Sequence, residues 1–310
     1  MSYSDLAPIG ISTYKRSAHL KKTIVALKEN PLSRFSDLYI FSDHPNVGDE
    51  IEVLRLRKYL KTVTGFKNIE IIERENNSRV KNTREGMKLL LGTYGKMIFL
   101  EEDIVTSPRF LEFLNMGLDH YRSNASILSV SGYSPPIRIK KYANSDMYIL
   151  RRFNAWGFAT WQHKFDPYGF ELDEKKARNF LENKRHFTES MIGQDFRSML
   201  TKELNKEIDA LDVKISFHQV INDLYTVYPI ESLVQNIGFD GTGIHCGKSK
   251  KFDIDFSGNR KMFNFDALPT IRQEIVLAHN EFRKRNIIQT IRYYANLLFR
   301  AFRRIAISEK

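Results

Sequence analysis

Five short apolar runs, each followed by a polar cluster and then a helical pattern, fill the first 131 residues of this chain and leave few folds open. Ala7 to Thr13, Asp37 to Ser42, Ile69 to Ile72, Lys96 to Leu100 and Ser126 to Val130 have the length and apolar density of buried strands. Between the first two, Ser17 to Glu29 sets Leu20, Ile24 and Leu27 on one helical face. A second helical stretch carries Ile51, Leu54 and Leu60, and Asn82 to Leu91 reads as a third. Pro108 opens a fourth helix with Phe110, Leu111, Leu114 and Leu118. Proline suits a first turn because its missing N–H would find no intrahelical partner there. Strand–helix alternation at this spacing predicts an α/β fold: a doubly wound, mostly parallel sheet. In such sheets ligands gather beyond the carboxyl ends of the strands. That rule nominates Ser12-Thr13-Tyr14, Ser42-Asp43-His44, Arg74 to Arg79, and Glu101-Glu102-Asp103.

The second half is less regular. Tyr133 to Asp146, with Pro135 and Pro136, reads as a loop, and Arg151 to Trp161 is rich in aromatic residues around Gly157. Helical patterns resume at Lys175 to Leu181, Glu189 to Leu204 and Leu211 to Ile221. Gly238 to Gly247 holds four glycines in ten residues, which marks a loop. There is no glycine-rich phosphate loop of the Walker or dinucleotide type, which argues against kinases and dehydrogenases. With 310 residues and 42% apolar content, the chain can bury one large core.

Charge narrows the partners. The net charge is +11, and residues 271–310 hold nine basic against three acidic residues. Ile287, Ile291, Tyr294, Leu298, Phe302 and Ile305 make an apolar stripe flanked by arginines, a basic amphipathic helix over 283–307. Such a helix meets an anionic membrane surface or packs on a second subunit. No nucleic-acid-binding motif accompanies the charge, so no nucleic acid partner is expected. One cysteine, Cys246, and no apolar run of the roughly 18 to 20 residues that span a bilayer point to a cytoplasmic protein. Its place would be free in solution or peripheral on the inner face of the cell membrane.

Three consecutive carboxylates at a strand end repel one another unless a cation compensates. Mg2+ and Mn2+ take oxygen ligands, commonly one or two carboxylates completed by substrate phosphates. A solvated acidic turn leading into the helix at Pro108 is the other reading. The run IFLEEDIVTSPRFLEFLN resembles the metal-binding segment of nucleotide-sugar glycosyltransferases with the GT-A fold. The branch it resembles includes N-acetylglucosaminyltransferase I and bacterial capsule and O-antigen transferases. The resemblance implies Asp103 as ligand of Mn2+ or Mg2+, with Glu101 and Glu102 facing the ribose and sugar hydroxyls.

Further segments extend it. ISTYKR resembles the family's first strand end, implying nucleotide contacts from Ser12, Thr13, Tyr14 and Arg16. FSDHP implies that Asp43 accepts a hydrogen bond from the uracil imide, and NNSRVKNTREGM implies Arg79 and Arg84 at the base or diphosphate. AWGFATW resembles the segment bordering the donor sugar, implicating Trp156 and Gly157. GQDFRSML places Asp195 at a helix start, where the family keeps its general base, with Asp209, Asp212 and Glu189 as alternatives. The glycine-rich loop resembles a closing loop whose His245 would join the metal or diphosphate.

The implied activity is inverting transfer of a sugar, from a UDP-linked donor, to a glycan or lipid-linked glycan acceptor in cell-surface polysaccharide biosynthesis. The implied organisation is a catalytic domain over 1–265, split into a nucleotide half (1–131) and an acceptor half (132–265), then a helical tail over 266–310. A sugar-1-phosphate nucleotidyltransferase and a non-catalytic nucleic-acid-binding protein are the alternatives.

Overall fold

The computed structural model describes residues 5–137, 146–165, 171–183, 192–242, 248–254, 263–265 and 271–283. The nucleotide half follows the expected alternation. It runs β1 (Ile9–Thr13), α1 (Ser17–Lys28), β2 (Asp37–Ser42), α2 (Glu50–Leu60), β3 (Asn68–Glu73), α3 (Arg79–Tyr94), β4 (Lys96–Glu101), β5 (Ile104–Thr106), α4 (Phe110–His120) and β6 (Ile127–Ser131). The remaining described elements are β7 (Met147–Leu150), β8 (Phe158–Trp161), α5 (Gln162–Phe165), α6 (Glu174–Glu182), α7 (Gln194–Leu204), α8 (Leu211–Ile221), β9 (Tyr225–Pro229), β10 (Val234–Asn236) and α9 (Gln273–Arg283).

Eight strands form one sheet in the order β3-β2-β1-β4-β8-β6-β9-β7. The first four are all parallel, as is β6–β9. The fold is therefore the mostly parallel α/β sheet that the periodicity predicts. Antiparallel β8 between β4 and β6, and antiparallel β7 at the far edge, depart from a strict alternation. Strand β8 follows β7 through residues 151–157, which hold no helix to announce it.

Alternate side chains feed two cores, as a strand's period of two requires. Ile9, Ile11, Leu38, Ile40, Ile98 and Leu100 face the layer holding α1, α2 and α4. Phe41, Met97 and Phe99 face α3 and the start of α8. Glycines let α3 lie close to the sheet: a Cβ on Gly86 would meet the Phe41 ring at 2.7 Å, and one on Gly10 would meet Leu90 at 2.6 Å.

One helical face differs from expectation. Ile51 and Leu54 of α2 are 68% and 69% exposed, whereas Val53, Leu56 and Leu60 are buried. The three- and four-residue steps from Val53 to Leu60 keep one face, while the six-residue step from Leu54 to Leu60 turns well off it. The helix expected from Glu189 begins at Gln194, after Gly193 at φ +104°.

The acceptor half adds a helical layer of α6, α7 and α8 around Phe180, Phe196, Leu200 and Phe217. Helix α9 packs Ile275 and Val276 against Tyr148 and Tyr228 of the last two strands. The stripe expected over 283–307 lies outside the described residues apart from Arg283. Among the described residues no helix is long and apolar enough to cross a membrane.

Candidate active site

The carboxyl ends of β1, β2 and β4 lie side by side, because β1 pairs in parallel with both neighbours. Ser12 sits opposite Phe41 and Glu101, and Thr13 opposite Ser42. Glu102 follows β4 with its side chain turned into this junction. Its Oε2 accepts from the Thr13 hydroxyl at 2.5 Å and the Tyr14 backbone N–H at 2.7 Å, and its Oε1 accepts from Arg16 Nε at 2.7 Å. Its backbone oxygen accepts from Thr23 of α1. Glu102 thus ties the first strand end to the fourth. Tyr14 in turn donates to Asp49, which also pairs with Lys15.

Arg16 spans two carboxylates, reaching Asp103 Oδ2 at 2.7 Å as well. Burial works against its charge, but Asp103 and Glu102 outweigh it and raise its pKa above the ordinary value. Asp103 Oδ1 has no hydrogen-bond partner among the described residues although the side chain is buried. The antiparallel β5–β10 pair explains the crowding on the other side of this carboxylate. It delivers Ile237 N–H to the Asp103 backbone oxygen at 2.9 Å and lays Gly238 against the carboxylate. Gly238 is fixed in turn by its N–H donating to Asn236 Oδ1 at 2.8 Å.

Glu101, half-buried beside this group, is pushed up to about 7 by burial and the charge of Asp103, with Asp212 adding and Arg79 and Arg16 opposing. These neighbours bring the start of α3 and the start of α8 to the same recess.

Asp43, 2% exposed, is held at the end of β2. Its Oδ1 accepts the N–H of His44 at 2.9 Å and of Ser78 at 3.1 Å. Ser78 is also the N-cap of α3, its hydroxyl accepting from Lys81 N–H. Arg79 faces Glu101 and donates to the backbone oxygen of Asp209 at 3.4 Å. Arg84, farther along α3, pairs with Glu171 and Asp209. The two arginines therefore part company, Arg79 at the recess and Arg84 on the segments leading into α6 and α8.

Across the recess, Asp195 lies in the first turn of α7, and Arg152 clamps both its oxygens at 3.0 and 2.9 Å. Arg283 of α9 approaches the same carboxylate at 3.6 Å. Burial raises the pKa of Asp195, but Arg152 and Arg283 prevail and lower it below the ordinary carboxylate value. Asp212 behaves oppositely: burial raises its pKa against the pull of Arg152. No side chain hydrogen-bonds the Asp212 carboxylate among the described residues.

Trp156 sets its ring edge-on to Tyr133, Phe239 and Phe252, between the Gly238 turn and α9. Gly157, at φ +72°, passes so close to Phe110 that a Cβ would touch the ring at 3.0 Å. His245 lies outside the described residues, as does Glu189. A surface hollow lined by Glu171, Lys176, His218 and Asn222 contains none of these residues.

Sequence reasoning missed Arg152, Arg283, Tyr133, Asn236 and Gly238. In the sequence, Arg283 stands at the start of the basic run of the tail. The doublet Arg151-Arg152 before the aromatic segment was the one available signal. Asn236 and Gly238 are identified only by the pairing of β10 with β5.

No family model matches the chain, and no curated protein matches it. Solved structures of similar fold include a mannosyltransferase, PcManGT from Pyrobaculum calidifontis, in complex with GDP-Man and Mn2+. It has 11% identity and a TM-score of 0.36 over 57% of this chain and 55% of that one. S. aureus TarS 1-349 in complex with UDP overlaps at 8% identity and a TM-score of 0.41, over 74% and 59% of the two chains. S. aureus TarS overlaps at 8% identity and a TM-score of 0.38, over 55% and 31%. This chain thus spans well under two thirds of the length of each. At these identities and scores the overlaps carry no argument about activity.

Proposed function

We propose that the chain is a glycosyltransferase that takes a nucleotide-sugar, UDP-linked by the disposition of Asp43, and passes the sugar to a glycan or lipid-linked glycan acceptor with inversion. The observation that carries this reading is Asp103, a buried carboxylate with one oxygen unpartnered at a strand end. At the end of β2, with β1 between it and the strand that carries Asp103, Asp43 is oriented by two backbone N–H groups.

The donor set suits Mn2+ or Mg2+. Among the described residues no three His, Cys, Asp or Glu side chains gather to form a closed site. A carboxylate with a free oxygen, completed by diphosphate and water, is the arrangement these hard cations favour. Asp103 would hold the ion, joined by His245 if the glycine-rich loop closes. The ion supplies counter-charge as the nucleoside diphosphate departs. Asp43 orients the uracil, Arg79 and Glu101 border the ribose and sugar, and Trp156 with Gly157 walls the sugar. Arg84 stands behind Arg79 by holding Asp209.

In the transfer, an acceptor hydroxyl oxygen attacks the anomeric carbon as the bond to the diphosphate breaks and its electron pair leaves with the phosphate. The hydroxyl proton goes to a carboxylate. Asp195 is the residue that sequence position favours, and Asp212 is the one favoured by geometry. Arg152 occupies both oxygens of Asp195 and keeps its basicity low, whereas the Asp212 carboxylate has no side-chain hydrogen bond among the described residues and burial raises its pKa. A base works best when its pKa approaches the working pH. Asp195 then positions Arg152. We place the activity in cell-surface polysaccharide synthesis, at the inner face of the membrane, with the basic residues of the 283–307 stretch that follow Arg283 as the contact.

Thermal melting with UDP plus Mn2+, against UDP alone and against RNA, tests this reading. A rise specific to UDP with Mn2+ is expected. A rise with RNA and none with UDP–Mn2+ sinks the proposal. Hydrolysis of a panel of nucleotide-sugars then identifies the donor and separates a transferase from a nucleotidyltransferase.

A further inference from the structure

Among the described residues, the far wall of the recess carries three cations, Arg152, Arg283 and Lys251, against two acids, Asp195 and Asp212. Helix α9 sets this up. Ile275, Val276, His279 and Arg283 share a face by the three- and four-residue rule, and the first three are buried on the sheet. His279 is anchored by Tyr148, whose hydroxyl lies 2.8 Å from Nε2 and 2.8 Å from Ser134 Oγ. Burial, reinforced by Arg283 and Arg152, drives the pKa of His279 well below its ordinary value, so the ring is neutral. One turn later the same face delivers Arg283 into the recess.

Arg283 is unusual for a guanidinium with a side chain only 18% exposed. A guanidinium offers five N–H donors, yet Arg283 makes no hydrogen bond among the described residues. Its nearest acid, Asp195 at 3.6 Å, is already bound by Arg152 on both oxygens. Burial lowers the pKa of Arg283, and the adjacent charge of Arg152 lowers it further. Lys251 adds a third cation: its ammonium lies 4.7 Å from the Phe282 ring centre, feels Arg283 and the opposing charge of Asp195, and pairs with no acid among the described residues. Tyr133 is 2% exposed, faces Arg283, and its hydroxyl makes no hydrogen bond among the described residues. Two like charges and an unpaired hydroxyl around one half-buried space are costly unless an anion completes them.

We propose that this wall is a phosphate-binding subsite: the acceptor carries a phosphate group, held by Arg283 with Lys251 and Tyr133. A phosphate brings three or four acceptor oxygens and a charge of one to two, which matches donors arriving from three different segments. A carboxylate presents two oxygens and one charge. The subsite lies apart from Asp103: Arg283 approaches Asp195 of α7, whereas Asp103 is paired with Arg16 at the end of β1. The assignment of this phosphate to the acceptor rests on the transferase reading, whereas the anion site itself does not.

The test uses the full chain, without donor and in EDTA, so that no metal can hold the phosphate. Titration of N-acetylglucosamine 1-phosphate against N-acetylglucosamine is followed by calorimetry and by the fluorescence of the two tryptophans, Trp156 and Trp161. The phosphorylated sugar is expected to bind at least tenfold more tightly. Arg283→Gln should erase most of that preference and Lys251→Ala should weaken it about threefold, each tenfold being about 1.4 kcal/mol. Asp103→Asn should leave it intact. Arg283→Lys restores the charge and separates a lost contact from a misfolded chain, and Lys251, being exposed, can be replaced without unfolding. Equal binding of the two sugars, or a loss caused by Asp103→Asn and not by Arg283→Gln, overturns the proposal. Competition among a terminal phosphomonoester, a phosphodiester-bridged disaccharide and a prenyl-diphosphate saccharide then tells which source supplies the phosphate. If UDP–Mn2+ binds and the sugar phosphate does not, only this inference falls. If the reverse holds, the anion site stands and the transferase reading falls.

Discussion

The two walls of the recess are electrostatic opposites. On the nucleotide wall, Glu101, Glu102 and Asp103 outnumber the cations that reach them, Arg16 binds two of the three, and one oxygen of Asp103 is left over. On the acceptor wall, Arg152, Arg283 and Lys251 outnumber Asp195 and Asp212, the described acids whose charge reaches them; Asp195 takes Arg152 with both oxygens, and the Arg283 guanidinium keeps only a 3.6 Å approach to it. A buried surplus of either sign costs free energy until a ligand of the other sign arrives. One wall therefore suits a cation and the other an anion. A metal–diphosphate donor and a phosphorylated acceptor would meet between them.

The comparison breaks most sharply at Asp103. Asp103→Asn keeps the shape and removes the charge, so Mn2+-dependent UDP affinity and sugar transfer should fall by about 100-fold or more. Calorimetry of UDP with and without Mn2+ checks this. Unchanged affinity would move the metal to another group and leave the nucleotide wall without a role for its surplus.

The two acidic candidates on the acceptor wall come next. Asp212→Asn should lower kcat by about 100-fold or more with donor affinity intact, as loss of a general base does. In the wild type, activity should fall as pH drops through the raised pKa of Asp212, because the base must be deprotonated. Asp195→Asn should act through stability. Its pKa is depressed in the folded state, so its contribution is present above the ordinary carboxylate pKa and lost as pH falls through the depressed one. Unpairing Arg152 should cost about 3 kcal/mol, and the gap in Tm between wild type and variant should narrow in acid. A pH-independent gap together with a full loss of kcat in Asp195→Asn would return the base to Asp195.

These two walls were not equally legible in the sequence. The nucleotide wall stands at the ends of parallel strands, and a parallel sheet advertises its strands by the alternation of apolar runs and amphipathic helices. Asp43 and Glu101 to Asp103 could be placed from that pattern before any contact was known. The acceptor wall is assembled from β7, β8 and β9, two of which run antiparallel, and from α9, about 90 residues beyond Asp195. No local period reports that Arg283 meets Asp195, because the contact is made by tertiary packing of α9 on β7 and β9. The same limit hid Gly238, whose meaning comes from the β5–β10 pair. Within the legible half, the resemblance implies a nucleotide contact for Arg16, and the structure adds what no motif reports, that its guanidinium spans Glu102 and Asp103.

Gly238 sharpens the nucleotide wall without touching its charge. A methyl group at this position would intrude on Asp103 Oδ2. Gly238→Ala should therefore weaken Mn2+-dependent UDP binding by about tenfold, the scale of displacing a group that orients a metal ligand. It should leave sugar phosphate binding at Arg283 unaltered. If both affinities fall together, the two walls are one coupled unit and their separation here is wrong.

The smallest expected effect lies at Ser78, where fold and site share one residue. Its hydroxyl caps α3 by accepting from Lys81 N–H at 3.3 Å, while its own backbone N–H donates to Asp43 Oδ1 at 3.1 Å. Ser78→Ala removes the cap and keeps the backbone donor. Loss of such a cap costs about 1 kcal/mol, a fall of about 2–4 °C in Tm for a domain of this size. UDP affinity should drop less than about threefold, because Asp43 keeps both backbone N–H groups that aim it. A tenfold drop would show that the first turn of α3 needs its cap to keep Asp43 in place. The nucleotide wall would then owe its geometry to helix stability as much as to the sheet.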